Sequence, residues 1–297
     1  MTLTHDWPEG GRPNRVVVVG AAGFVGGAIF KKAQAAGLDV LPITRRDVDL
    51  LAEGAATRLA GLLRPDDALV AVSAIAPVKN AAMLKDNVAL IDTLVEAVKS
   101  QPVAHLLNIG SDAIYSDSPD ALTEESPKEP GQLHGIMHYL REVMLREAAG
   151  ETPFATLRPT LIYGAGDPHN GYGPNRFRRL VAEGKSITLF GNGEERRDHV
   201  YVEDVADLAL RILQHRSRGA LNAATGAVIS FREVAEAIVG LASSPVAIEG
   251  TPRSGPMPHN GYRPFDPAAT RAAFQDFEYV QPLDGFARVA VETTETA

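Results

Sequence analysis

Short apolar runs of strand length alternate along this chain with longer stretches in which apolar residues recur at helical spacing. The series opens with Val16-Val17-Val18-Val19, followed by Gly20-Ala21-Ala22-Gly23-Phe24-Val25-Gly26 and a helical stretch through Ala36. Val40 to Ile43, Ala68 to Ser73, Val103 to Ile109 and Ala155 to Leu161 read as further strands. Met83 to Lys99, Leu133 to Ala149 and Asp204 to Gln214 read as helices. This alternation predicts an α/β fold, a Rossmann-type doubly wound parallel sheet with right-handed crossovers. The segment from Gly164 to Glu195 and the tail after Ser230 are richer in Gly, Pro and polar turns. They predict a smaller C-terminal substrate-binding lobe interleaved with the sheet. The expected division is a dinucleotide-binding domain over 13–163, with 197–225 returning to it, and a capping lobe over 164–196 and 226–297. Residues 291–297 are expected to fray, and there is no internal repeat or low-complexity tract.

The glycine segment carries the first chemistry. Strand, glycines, helix, Gly37 and a second strand follow one another in the order of a dinucleotide-binding unit. Gly20 allows the tight turn, Gly23 lets the backbone approach a pyrophosphate, and Gly26 lets the helix pack close to the strand. The helix N-terminus then receives the phosphate charge. The second strand ends in Thr44-Arg45-Arg46, with no acid at the tip to hold an adenosine ribose. Two guanidinium groups suit a 2′-phosphate, so NADP is favoured and NAD remains possible. The other reading of the arginines is a solvated basic loop.

Composition narrows the function. With 297 residues, 45% hydrophobic and 22% charged, the chain is long enough for a large core in one two-lobed unit. A net charge of −8 argues against a nucleic-acid partner. Without cysteine there is neither disulfide nor thiolate catalysis. The first 14 residues lack the basic and apolar regions of a signal peptide, and no run reaches membrane-spanning length, so a cytoplasmic protein without membrane contact is expected.

Four motifs in order, Gly20-x-x-Gly23-x-x-Gly26, Ser111-Asp112-Ala113-Ile114-Tyr115, Leu157 to Gly164 and Gly191 to Ala206, resemble the extended short-chain dehydrogenase/reductase family, in particular its NAD(P)-dependent nucleotide-sugar epimerases, dehydratases and reductases. The resemblance spans about Val16 to about Phe286. It implies cofactor contacts at Phe24, Val25, Ser73, Ala74, Pro159 and Ile162, with Tyr163 in the same loop, and a structural role for Asn87. It implies a nucleotide-sugar substrate held by Asn175, Arg176, Arg197 and Arg263, and a homodimer formed through Met83 to Lys99 and Leu133 to Ala149. Arginines suit a diphosphate because their fork donates paired, charge-assisted hydrogen bonds. The competing reading is that these arginines pair with Glu194, Glu195 or Asp266. His169 and His199 match no role and read as loop and packing residues.

The family's Tyr-x-x-x-Lys pair is replaced. Gly135, Met137 and Glu142 fix the helix register and leave His134 at the tyrosine position and His138 at the lysine position, while Ser111 matches the family's Ser or Thr. Tyr139 does not restore the motif, because residue 143 is Val. Imidazole, with a reference pKa of about 6.5, suits proton transfer at neutral pH without a neighbouring cation, but it reaches less far than a phenol. His138 lies one turn further on the same face and would bind the nicotinamide ribose or orient His134. Asp112 matches the acid of the sugar dehydratases, yet Ala113 stands where their base would be, which disfavours elimination; Asp112 also suits a turn that bonds backbone amides. Three readings of the pair stay open: an acid/base pair in a redox enzyme, a nucleotide-binding site without redox turnover, and a metal site with Glu142, for which no further ligand cluster is evident.

Overall fold

The computed structural model describes residues 2–295. In chain order its elements are β1 (Thr4–His5), β2 (Arg15–Val19), α1 (Phe24–Ala35), β3 (Val40–Ile43), α2 (Ala55–Ala60), β4 (Asp67–Ala71), α3 (Ala81–Ser100), β5 (His105–Ile109), α4 (Leu133–Ala149), β6 (Phe154–Pro159), β7 (Leu161–Tyr163), α5 (Pro174–Ala182), β8 (Ile187–Phe190), β9 (Arg196–Tyr201), α6 (Val202–Gln214), β10 (Ser217–Ala223), β11 (Val228–Ser230), α7 (Phe231–Gly240), β12 (Ile248–Thr251), β13 (Tyr262–Arg263), α8 (Ala268–Ala273) and α9 (Pro282–Glu295). The large sheet runs β1-β10-β6-β5-β4-β2-β3 and is parallel apart from β1. This is the α/β, doubly wound arrangement that the strand and helix alternation predicts.

The unbroken valine run explains itself in this setting. Successive side chains of a strand point to opposite faces. Val16 and Val18 enter the core shared with α1 and α6, whereas Val17 and Val19 enter the core shared with α2, α3 and α4. Both faces are covered, so every position of β2 is buried and apolar residues occupy all but its first.

Sheet membership moves three expected boundaries. The leader before residue 13 is part of the large sheet: β1 pairs with β10, His5 Nδ1 lies 2.8 Å from Ser217 Oγ, and the Trp7 amide donates to the His215 carbonyl at 3.0 Å. β7 and β9, both assigned from sequence to the cofactor domain, instead form a small sheet with β11 and β13. The chain therefore returns to the large sheet at α6, not at residue 197. The reason is local: β9 pairs with β11 and β13 over its first half and with β7 over its second, so its partners lie in the smaller lobe. At the other end α9 continues through Glu295, so the helix includes most of the tail expected to fray, and residues 296–297 of that tail lie outside the described residues. Among the described residues, no helix is long and apolar enough to cross a membrane.

Candidate active site

A cleft of about 1190 Å³ opens at the carboxyl ends of β2, β4, β5 and β6, where strand order reverses about β2 and doubly wound sheets bind ligands. Backbone proximity builds its cofactor end. A Cβ on Gly20 would lie 2.8 Å from both the Ser73 amide nitrogen and Ser73 Oγ, and one on Gly26 would lie 2.2 Å from the Gly20 carbonyl oxygen. Gly20 also has φ of 101°, in the region that favours glycine. Gly23 meets only the Gly20 oxygen, at 3.3 Å, and caps α1 without a side chain. The first turn of α1 has no acidic residue, so its amides are left for an anion. These features fit a dinucleotide pyrophosphate. Phe24, Val25, Ser73, Ala74, Pro159 and Ile162 also line the cleft.

At the tip of β3, Thr44 and Arg45 line the cleft, whereas Arg46 is exposed and does not. The acids missing from the tip return one turn later. Asp47 accepts from the Thr44 amide at 2.8 Å and from its hydroxyl at 2.7 Å, and Asp49 pairs with Arg45 at 3.1 Å. Asp49, Leu50 and Leu51 complete this wall and were missed from sequence, because no glycine or charge run marks them.

The opposite wall is made by side chains. α4 packs onto the turn after β5 through Gly135, where a Cβ would lie 2.1 Å from the Ala113 carbonyl oxygen. That contact puts His134 beside the turn of Ser111 and Asp112, and all three line the cleft together with His138. Ser111 Oγ accepts from the Ala113 amide at 3.1 Å. A buried ion pair fixes the helix: Arg158 donates to Glu142 at 3.0 and 2.6 Å, and also to the Tyr115 hydroxyl at 2.7 Å. Glu142 is thereby committed, along with a bond from Arg146, and cannot join the histidines as a metal ligand. Among the described residues, no group of three His, Cys, Asp or Glu is arranged to hold a metal ion. Asn87 bonds the backbone of Ile75 in both directions, at 2.9 and 3.0 Å, and so secures the segment after β4.

The rings of His134 and His138 meet edge to face with centroids 4.7 Å apart, and each Nδ1 is buried without a partner. Burial lowers His134 below the ordinary imidazole value, against the pull of Asp112. Burial lowers His138 further, with His134 and Arg141 adding to the effect. Both rings are neutral at pH 7. Arg141, fully buried one turn beyond His138, donates to Asn108 Oδ1 at 2.8 Å and to the Ser73 carbonyl, and burial lowers it to about 10.

The substrate residues expected from sequence divide. Asn175 lines the cleft, donating to Asp167 at 2.8 Å and accepting from the Gly164 amide at 3.2 Å. Arg176 is exposed on α5 and outside the cleft, since the helix turns its neighbours Asn175 and Phe177 inward. Arg197 lines the cleft but pairs with buried Glu195 and donates to the Pro258 carbonyl at 3.0 Å. Arg263 departs most from expectation. It is 2% exposed, and it donates to Asp112 Oδ2 at 3.1 Å, the Asp112 carbonyl at 2.7 Å, the Tyr115 carbonyl at 3.2 Å and Asp117 at 3.0 Å. With every nitrogen engaged, it builds the floor of the cleft instead of presenting a free fork to phosphate. His169 lies at the rim, and His199 is buried against the Arg197 carbonyl. His259 also lines the cleft; no motif announces it in the sequence.

A doubly wound α/β domain with a smaller second lobe, meeting at a cleft over a glycine-rich turn, is the class that this fold defines. The model of the NAD dependent epimerase/dehydratase family matches residues 16–224, and the chain belongs to that family. The expectation of an enzyme of the epimerase and reductase kind is borne out at that level. The chain is 25% identical over 284 residues to dTDP-4-dehydro-6-deoxy-D-allose reductase of Streptomyces bikiniensis, covering 80% of this chain and 84% of that one. It is 26% identical over 257 residues to a putative GDP-L-fucose synthase 2 of Oryza sativa subsp. japonica, covering 78% and 74%. Among solved structures it resembles UDP-glucose 4-epimerase of Thermus thermophilus in complex with NAD, with a TM-score of 0.79, 25% identity and coverage of 95% and 99%. It also shares the fold of Thermotoga maritima UDP-glucose 4-epimerase with UDP-glucose, with a TM-score of 0.82, 22% identity and coverage of 95% and 99%.

Proposed function

We propose that the protein is an NAD(P)-dependent oxidoreductase or epimerase of a nucleoside-diphosphate sugar in which His134 moves the proton. The observation that carries this reading is a neutral imidazole whose buried Nδ1 has no hydrogen-bond partner among the described residues and which, with Ser111, lines the same cleft as the glycine loop. The relatives with dTDP-, GDP- and UDP-sugar names support the substrate class.

The glycine loop and the α1 amides hold the pyrophosphate, and Arg45, the arginine of the β3 tip that lines the cleft, favours the 2′-phosphate of NADP over NAD. The bound nicotinamide supplies hydride exchange at its C4. Ser111 holds the reacting sugar oxygen. His134, as neutral imidazole, takes the hydroxyl proton on oxidation and returns it on reduction. His138 orients His134 or the ribose by edge contact, and Arg197 takes a phosphate with its remaining N–H groups. If the cofactor is restored within one turnover the net reaction is epimerisation; otherwise it is reduction or oxidation. Two subunits pair through α3 and α4, for which the exposed Ile136 and Val143 on α4 provide apolar surface.

The first experiment is mass spectrometry of small molecules released on denaturing the purified protein, followed by hydride-transfer assays on whatever nucleotide sugar is recovered or accepted. His134→Ala is expected to lower kcat by roughly 10²- to 10⁴-fold while cofactor affinity stays within about 2-fold. Unchanged turnover removes His134 from the mechanism. Because the folded imidazole titrates below its ordinary value, the neutral base persists under pH 6.5. In the oxidative direction the acid limb of kcat/KM is therefore expected below that pH, activity falling as His134 is protonated; in the reductive direction, where the imidazolium must give the proton, activity is expected to rise as the pH falls toward that limb.

A further inference from the structure

On the rim between the catalytic turn and Arg197, Pro258 to Gly261 forms a tight turn in which His259 and Asn260 are left-handed, with φ of 50° and 52°. His259 Nδ1 is bonded to Asp117, and Arg263 Nη1 lies 3.0 Å from both partners. A carboxylate only accepts, so the closer contact demands the proton on Nδ1. Nε2 is then a lone-pair acceptor, and among the described residues no hydrogen bond engages it. Burial holds the ring below the ordinary imidazole value although Asp117 raises it, and Arg263 and Arg197 reinforce the lowering. At neutral pH the ring is uncharged, and His259 is among the residues that line the cleft.

Its position is set by rigid contacts. Arg263 grips Asp112 with Nε and Asp117 with Nη1, so one guanidinium fixes His259 relative to the turn of Ser111. On the other side Arg197 donates to the carbonyl of Pro258, the preceding residue. An uncharged lone pair suits a hydroxyl or amide N–H and opposes phosphate oxygens, which find Arg197 beside it.

We propose that His259, held by Asp117, is a specificity-determining residue that accepts a hydrogen bond from a hydroxyl, or an amide N–H, of the glycosyl part of the substrate. This rests on the nucleotide-sugar reading of the cleft and adds what that reading leaves open: the sugar must carry a donor that reaches His259.

The test compares UDP with UDP-glucose, dTDP with dTDP-glucose and GDP with GDP-mannose by calorimetry on the cofactor-loaded protein. His259→Asn tolerates left-handed backbone and keeps an amide N–H for Asp117 while removing Nε2. It is expected to weaken the preferred sugar nucleotide about 5- to 30-fold, the size of one hydrogen bond lost to a buried group, and the matching diphosphate by less than about 2-fold. Asp117→Ala, at a more exposed position, is expected to give the same selective loss in smaller degree. Equal losses for sugar nucleotide and diphosphate, or no loss in either variant, overturn the assignment while leaving the substrate class standing. Failure of the unaltered protein to bind any of the six ligands overturns the substrate class, and this proposal with it.

Discussion

The glycine loop and the inner face of α4 border the same cleft, yet the first holds its shape largely with backbone and the second with one backbone contact at Gly135 and a buried ion pair. At Gly20 and Gly26 the contact distances leave no room even for a methyl group, and the atoms in the way belong largely to main chain. On α4, by contrast, the helix is located by Gly135 against Ala113 and by Glu142 against Arg158, while the two groups facing the cleft are histidines whose Nδ1 atoms have no partner among the described residues. Where the scaffold is fixed independently of the reacting group, the reacting group can be exchanged without disturbing the scaffold. This separates the frame of the cleft from the pair of histidines that faces it.

The largest effect is expected where backbone meets backbone. Gly26→Ala places a methyl 2.2 Å from the Gly20 oxygen and 2.8 Å from its carbonyl carbon, so α1 must move off β2. Overpacking of this kind costs about 3 kcal/mol, and the displaced helix no longer aims its amides at the pyrophosphate. Denaturant midpoints and cofactor titration check both consequences. A variant that keeps its stability and affinity would show that the loop is more pliant than its contacts allow.

A smaller loss is expected on the side-chain wall. His138→Lys would install the residue that the family resemblance leads one to expect at this position, but here it sets a second buried cation next to Arg141, whose own guanidinium is already held down by burial. With no acid among the bonds made by Arg141, the new ammonium has no opposite charge from that quarter. Stability is expected to fall by about 2 kcal/mol and the lysine pKa to drop, with no gain in turnover. An active, fully stable variant would mean that His138 is a plain substitute for lysine and that Arg141 does not shape the site.

The same division governs what the sequence discloses. Main-chain requirements leave a trace in spacing: Gly20, Gly23 and Gly26 between a strand and a helix could be read directly, as could the sheet class from alternating elements. The register of α4 rests on Gly135 and Glu142 as positional markers, and both are anchored in the fold, Gly135 against Ala113 and Glu142 against Arg158. Arg263 and Arg176 were misjudged because their motif gives a place in the chain and not a partner. Arg263 is drawn inward by Asp112 and Asp117, which lie more than a hundred residues earlier, and Arg176 is turned outward by the inward packing of Phe177. His259 had no local signal at all, since its role depends on a carboxylate that only the folded chain brings beside it.

The smallest expected effect sharpens the comparison at the far end of the cofactor wall, where side chains return on a backbone frame. Arg45 stands at the cleft with its side chain 81% exposed and shares Asp49 as a partner. Water screens such a pair, so it holds the arginine loosely and leaves it free to turn toward a 2′-phosphate. Arg45→Ala is expected to weaken NADP about 3- to 5-fold and NAD by less than about 2-fold, the range of one solvent-exposed charged contact. Paired dissociation constants measured at low and high salt provide the check, because a preference for NADP that rests on Arg45 must shrink as salt rises. A loss shared equally by the two cofactors would place Arg45 on the common part of the dinucleotide. The choice between them would then rest on the backbone of the glycine loop and the wall of Asp49 to Leu51, and the arginines would be no more than a solvated corner of the β3 turn.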